Sequence, residues 1–183
     1  MPLMAEKLRT GARLDGVILK MPSPALVEQS GLLGFDLVVI DTEHGPGDTS
    51  LLEQHVRAGD AVGVPIIVRV PVNHFAPIQS ALDSGASGVI IPHIASAAAA
   101  AGAVGAAHYP PYGHRGLALS TRAARHGTIA LSEHLRRVHE QTVVIAQIEE
   151  PAGGSAAAEI APVQGLEGGW RGPAELAVSI GAG

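Results

Sequence analysis

The chain has 183 residues, 46% hydrophobic and 16% charged, with a formal net charge of −5. This length and apolar content support one domain with a buried core and exclude disorder, while an acidic balance without a basic stripe argues against nucleic-acid binding. With no cysteine and only 3% aromatics, disulfides and thiolate metal sites are excluded and the core must be built from Ala, Val, Leu and Ile.

In chain order, Ala5–Gly11 reads as a short helix ended by glycine, and Asp15–Lys20 as a first strand. Ser23 before Pro24 suits an N-cap with proline at the first helical position, opening a helix over Ala25–Gly31. Leu37–Ile40 is an unbroken apolar run between Gly34 and Gly45, the pattern of a strand buried on both faces. It ends in Asp41, Thr42, Glu43 and His44, polar groups whose desolvation is costly unless they are paired or bind something. A helix over Leu51–Ala61 precedes a strand over Val64–Pro71 that carries Arg69 near its end. A helix over Phe75–Ser84, a strand over Gly88–Pro92 and an Ala-rich helix over Ser96–Ala107 follow.

Two prolines and two glycines in Tyr109–Gly116 exclude regular structure and open a loop that continues toward Gly127. Ser132–Glu140 reads as a helix and Thr142–Glu149 as a strand, again finishing in a carboxylate. Ser155–Ala161 is a weaker helix and Leu166–Trp170 a weaker strand, and a last helical turn begins at Gly172. Paired glycines at Gly153-Gly154 and Gly168-Gly169 weaken these last elements by up to ~1 kcal/mol each. The first nine residues carry no cationic start followed by an apolar segment, and the apolar stretch Ala95–Ala107 is too short to span a bilayer. A cytoplasmic protein without a membrane segment is the expectation.

Strand and helix alternate about six times in units of roughly 30 residues, the pattern of a parallel sheet with right-handed crossovers. An open doubly wound sheet and a (β/α)8 barrel both fit. No Gly-x-Gly-x-x-Gly follows the first strand and no Gly-x4-Gly-Lys-Ser/Thr occurs, which removes support from nucleotide-binding sheets. The expectation is therefore an α/β fold of the (β/α)8 TIM-barrel type in a single domain over residues 1–183. It would be incomplete after about six βα units, because a full barrel takes about 250 residues.

In a barrel, the polar ends of successive strands share one rim. Asp41, Glu43 and His44, then Arg69, then Gln147 and Glu149, then the Gly172–Glu175 turn fall at that place in their units. Carboxylates on neighbouring strands form a hard oxygen site for Mg²⁺ or Mn²⁺. A metal holding a 2-oxo acid polarises its carbonyl, a His moves a proton and an Arg balances an oxyanion. His134 and His139, five apart, do not share a helical face and offer no zinc site.

At these residues the chain resembles the metal-dependent class II pyruvate aldolases, the 4-hydroxy-2-oxoheptanedioate aldolase family. The matching stretches are Asp36–Gly45, Val68–Pro71, Leu82–Pro92, Tyr109–Gly116, Gln147–Glu149 and Gly172–Leu176, in family order over nearly the whole chain. The resemblance implies an aldehyde-lyase that reversibly cleaves a 4-hydroxy-2-oxo acid to pyruvate, or a close 2-oxo acid, and an aldehyde through an enolate. It implies a divalent metal (Mg²⁺, Mn²⁺ or Co²⁺), no organic cofactor, and a homo-oligomer, often a hexamer built from swapped dimers. By the family pattern His44 is the acid/base, Asp83 orients it, and Arg69 stabilises the oxyanion. Gln147, Ala174 and Glu175 would hold substrate, and Glu149 with Glu175 would hold the metal.

The chain departs from that pattern in three places. Glu175 stands where the family has Asp, carrying the carboxylate about 1.5 Å further in a kind of site where a 1 Å displacement matters. Arg171 occupies a usually apolar strand position and would need a partner if buried. Finally, the family continues for roughly two more βα units. These departures suit a second reading, a non-catalytic barrel serving as an interaction subunit. Lyases acting on citryl or malyl thioesters, relatives of the family, are a third.

Overall fold

The computed structural model describes residues 4–46, 48–173, 176 and 177. Helix α1 (Met4–Arg9) precedes strand β1 (Gly16–Leu19), then α2 (Pro24–Leu32), β2 (Leu37–Asp41), α3 (Thr49–Val62), β3 (Ile66–Arg69), α4 (Phe75–Asp83), β4 (Gly88–Ile91) and α5 (Ala97–Ala107). A 3-10 segment (Arg122–Gly127) interrupts the long loop before α6 (Leu131–Gln141) and β5 (Val143–Ile148); α7 (Pro151–Ser155), α8 (Ala157–Ile160) and β6 (Gly168–Arg171) follow, and the Leu176 N–H then donates to the Gly172 carbonyl at 3.0 Å, in the helical turn expected from Gly172.

The six strands form one parallel sheet whose spatial order is the chain order, β1 to β6. A doubly wound sheet would reverse its order at a switch point, and this one does not. With right-handed crossovers and no reversal, the crossover helices fall on one side and the twisted sheet curls into a half-barrel. Of the two closures that the alternation allows, the barrel-type sheet is the one that forms.

Side chains alternate between two cores. Val38 and Ile40 of β2, Val68 of β3, Val89 and Ile91 of β4, and Val144 and Ala146 of β5 face the helices, where they pack with Val27, Val56, Ile78, Leu82, Ala103 and Ile160. Val39, Ile67, Ile90 and Val143 face the concave side, joined by Leu37, Ile145 and Trp170 and floored by Met4, Ala5 and Leu8 of α1. Burial on both faces is what the continuous apolar strands demand, and each Val or Ile so placed contributes about 1.5–3 kcal/mol.

Element ends fall within a few residues of the sequence reading, and the differences have local causes. Ser23 caps α2 in position, but its side chain makes no capping bond; its backbone N–H instead donates to buried His55 Nε2 at 3.1 Å. Instead of one helix over Ser155–Ala161, the chain makes α7 and α8, starting earlier at Pro151. Gly153 is required there, since a Cβ would lie 2.5 Å from the Ile94 carbonyl oxygen, so this glycine marks a close approach and not a weak helix.

The last strand begins at Gly168 because Leu166 still turns back to the Val163 carbonyl, at 3.1 Å. Arg171 is exposed, so the buried partner it would otherwise need does not arise. His134 is buried and bonded to the Tyr109 hydroxyl at 3.1 Å, while His139 stacks on Tyr112, consistent with two histidines that do not share a face. No helix among the described residues is long and apolar enough to cross a membrane.

His108, at the end of α5, is 5% exposed, and neither ring nitrogen has a hydrogen-bond partner among the described residues. Burial, aided by the charges of His139, Arg115 and Arg9, pushes its pKa down from 6.5 to about 4. A depressed histidine leaves stability intact above its unfolded pKa and withdraws it as pH falls toward the folded one. Denaturant unfolding should therefore show roughly 3 kcal/mol lost between pH 6.5 and 4 on account of this one group. His108→Leu should remove that part of the slope; an unchanged slope would mean that another group carries it.

Candidate active site

In β2, β3 and β5 the concave-facing positions are apolar along most of the strand and polar at the C-terminal tip. The register sets Asp41 of β2 directly beside Arg69 of β3, and Gln147 lies at the corresponding tip of β5. Asp41 is 2% exposed and Arg69 6%. Arg69 Nε donates to Asp41 Oδ1 at 3.0 Å and Nη2 to Oδ2 at 2.6 Å, a two-pronged pair that fits the planar guanidinium to the carboxylate. Burial works against the Asp41 charge, but Arg69 and the backbone N–H groups of His44 and Glu43 outweigh it and hold its carboxyl below the ordinary range.

The same carboxylate shapes the turn after β2. Asp41 Oδ1 accepts from the N–H of Glu43 at 3.1 Å and of His44 at 3.2 Å, while Thr42 is tied to the Arg69 carbonyl through its N–H at 3.0 Å and its hydroxyl at 2.7 Å. Gly45 then passes so close to the strand end that a Cβ would lie 2.3 Å from the Asp41 carbonyl oxygen. The backbone of this tip is over-determined, yet the His44 side chain stays about half exposed, with Nε2 3.9 Å from Glu43 Oε2.

Arg69 uses its third nitrogen inside the site. Nη1 lies 3.4 Å from Gln147 Oε1 and 3.2 Å from Glu43 Oε2. Gln147 is buried and donates through Nε2 to Glu149, itself 4% exposed. The other Glu149 oxygen accepts the backbone N–H of His93 at 2.9 Å. Burial pushes the Glu43 carboxyl above its ordinary range, with Arg69 opposing and Glu149 adding to the rise. Glu43 Oε2 is buried without a hydrogen bond, despite its proximity to Arg69.

One oxygen each from Glu43 and Glu149 and one nitrogen from His93 lie within 4.8 Å of one another. Four carboxylates (Asp41, Glu43, Glu149, Glu150) gather at these tips against buried Arg69 and the more exposed Lys20, whose Nζ is 3.9 Å from Asp41. Excess negative charge, an orphaned buried oxygen and an oxygen-rich donor set all fit a divalent cation.

The structure thus brings together His44, Arg69, Gln147 and Glu149 of the residues the sequence singled out. Asp83 is not with them. It ends α4, which runs back from the strand tips, and there it pairs with Arg115 at 2.6 Å and accepts from Gln79 at 3.4 Å. Ala174 and Glu175 lie outside the described residues. Sequence reasoning passed over His93: it stands just past the end of β4, and the rule that picked out the polar ends of the neighbouring strands, applied to this one, finds it.

A family model described as HpcH/HpaI aldolase/citrate lyase matches residues 16–183. The 5-keto-4-deoxy-D-glucarate aldolase of Salmonella paratyphi A (strain ATCC 9150 / SARB42) is 35% identical over 161 residues, covering 88% of this chain and 62% of the relative. Among solved structures, an HpcH/HpaI aldolase/citrate lyase family protein from Burkholderia cenocepacia J2315 superposes with a TM-score of 0.92 at 33% identity, covering 98% of this chain and 72% of that one. An HpcH/HpaI aldolase from Desulfitobacterium hafniense DCB-2 gives 0.91 at 28% identity, over 100% of this chain and 70% of that one. The chain spans 62% of the length of the curated relatives it matches.

Removing one member of the buried Asp41–Arg69 pair leaves the other charged and unpaired. Asp41→Asn and Arg69→Met should each cost about 3–5 kcal/mol of unfolding free energy. Denaturant titration checks this; a loss below about 1 kcal/mol would show that the pair is solvated and is not the anchor of the site.

Proposed function

The chain belongs to the HpcH/HpaI aldolase/citrate lyase family, and on that premise we propose that it reversibly cleaves a 4-hydroxy-2-oxo acid to pyruvate, or a close 2-oxo acid, and an aldehyde. The observation that carries the reading is the convergence of Arg69, Gln147, Glu43 and Glu149 at neighbouring strand tips beneath the half-exposed imidazole of His44. The substrate named for the Salmonella relative supports the class: counted from its keto end, 5-keto-4-deoxy-D-glucarate is a 2-oxo acid with a methylene at carbon 3 and a hydroxyl at carbon 4.

His44 takes the proton of the C4 hydroxyl. The C4 oxygen electrons form the aldehyde carbonyl, the C3–C4 bond breaks, and its electron pair moves through C2 onto the 2-oxo oxygen. A proton returned to C3 then yields the 2-oxo acid product. Acid/base assistance of this kind supplies typically 10²–10⁴-fold. Arg69, its orientation set by Asp41, meets the developing oxyanion with a donor that needs no rearrangement during the step. Gln147, buried between Arg69 and Glu149, orients the 2-oxo acid portion with the backbone at Ala174.

Glu149 and Glu43 would hold the divalent ion, with Glu175 at the sequence position of the family's second carboxylate ligand. When bound, that ion polarises the 2-oxo carbonyl.

Incubating the chain with pyruvate, an aldehyde and Mg²⁺, Mn²⁺ or Co²⁺ should give condensation product. A folded sample that forms none with any of the three metals overturns the reading. His44→Ala should lower turnover at least about 100-fold while metal affinity stays within about twofold, as for a proton carrier that is not a ligand.

A further inference from the structure

We propose that His93 is a nitrogen ligand of the divalent ion at this site, and that it shifts the preference of the site from Mg²⁺ toward Co²⁺. The inference rests on the aldolase reading of the same site and adds which ion the chain selects.

His93 follows Pro92 at the end of β4, the strand between the one that carries Arg69 and the one that carries Gln147. Its backbone is left-handed, with φ 56°, a region that non-glycine residues enter only at a cost. That conformation places its N–H on Glu149 Oε1 at 2.9 Å. It also carries the imidazole over the carboxylates: Nδ1 lies 2.9 Å from Glu150 Oε1 and 3.2 Å from Glu149 Oε1, and Nε2 lies 3.6 Å from Glu43 Oε1.

These neighbours sort the two nitrogens. A metal-bound histidine gives its other N–H to a carboxylate, which fixes the tautomer and raises ligand basicity. Glu150 is placed to accept that proton from Nδ1, leaving Nε2, on the Glu43 side, to ligate. Around an ion with bonds of about 2.1 Å, adjacent ligands sit about 3 Å apart and opposite ones about 4.2 Å. His93 Nε2 and Glu43 Oε1, 3.6 Å apart, fall between those two values, and the three donor groups lie within 4.8 Å of one another. Glu43 Oε2, on a side chain 8% exposed, is buried without a hydrogen bond although Arg69 Nη1 lies 3.2 Å away, so this carboxylate keeps acceptor capacity facing the cluster.

Chemistry then sets the choice of ion. Mg²⁺ favours oxygen ligands and sheds its water reluctantly, whereas imidazole suits the later first-row ions and affinity rises from Mn²⁺ through Co²⁺. A purely carboxylate site would bind Mg²⁺ with modest discrimination, and one imidazole changes that.

The test titrates the intact chain with Co²⁺ alone and with Mg²⁺ alone by calorimetry, and records the visible absorption of the Co²⁺ form. His93→Asn tolerates the left-handed backbone and lacks the ring; His93→Gly removes the backbone cost as well. Both variants should bind Co²⁺ about 10–100-fold more weakly and show a shifted Co²⁺ band, with Mg²⁺ affinity changed by no more than about twofold. Glu149→Gln should weaken both metals. Co²⁺ affinity and spectrum unchanged in both His93 variants would overturn the proposal and leave the aldolase reading standing. A parent chain that binds neither metal would overturn both.

Discussion

Asp41 and Arg69 are the interaction on which the rest of the site depends. The β2–β3 register alone places them side by side, and burial makes their pairing obligatory, because neither charge has water to fall back on. Once paired, both continue outward. Asp41 collects the N–H groups of Glu43 and His44, which bends the chain into the turn that presents the imidazole, and Arg69 reaches across to Gln147 and Glu43. A buried ion pair is often a poor source of stability compared with an apolar replacement. Here it acts as a positioning device, since the same two side chains fix the acidic tip, the amide and the orientation of the cation.

Much of this was legible in the residues. A strand buried on both faces leaves a long unbroken apolar run, and Leu37–Ile40, Val64–Val68 and Gly88–Ile91 carry that signature. The polar residue that ends such a run stands out because its position makes it expensive. Arg69, Gln147 and Glu149 were found in this way, and the parallel alternation implied that they would meet.

The less legible parts depend on contacts distant in sequence or on backbone geometry. Nothing local distinguishes Gly153, which a carbonyl from β4's exit loop presses against, from a glycine that merely weakens a helix. Asp83 matched a motif, but it ends α4, away from the strand tips, and pairs there with Arg115. His93 is visible as the polar residue after a strand, but its place in the site comes from a left-handed turn and from Glu149 and Glu150, more than fifty residues away.

Helix α1 beneath the concave face has a bearing on how the chain assembles. The outer core is local: each strand meets helices that follow or precede it closely, so that layer can grow unit by unit. The inner core joins Met4 and Ala5 to Val39, Ile67, Ile90 and Val143, and Arg9 reaches the Glu140 carbonyl and Glu167. The contacts with Val143, Glu140 and Glu167 close loops of well over one hundred residues, the kind of contact that forms slowly. During synthesis, the first helix must wait for the fifth strand before its floor position is complete.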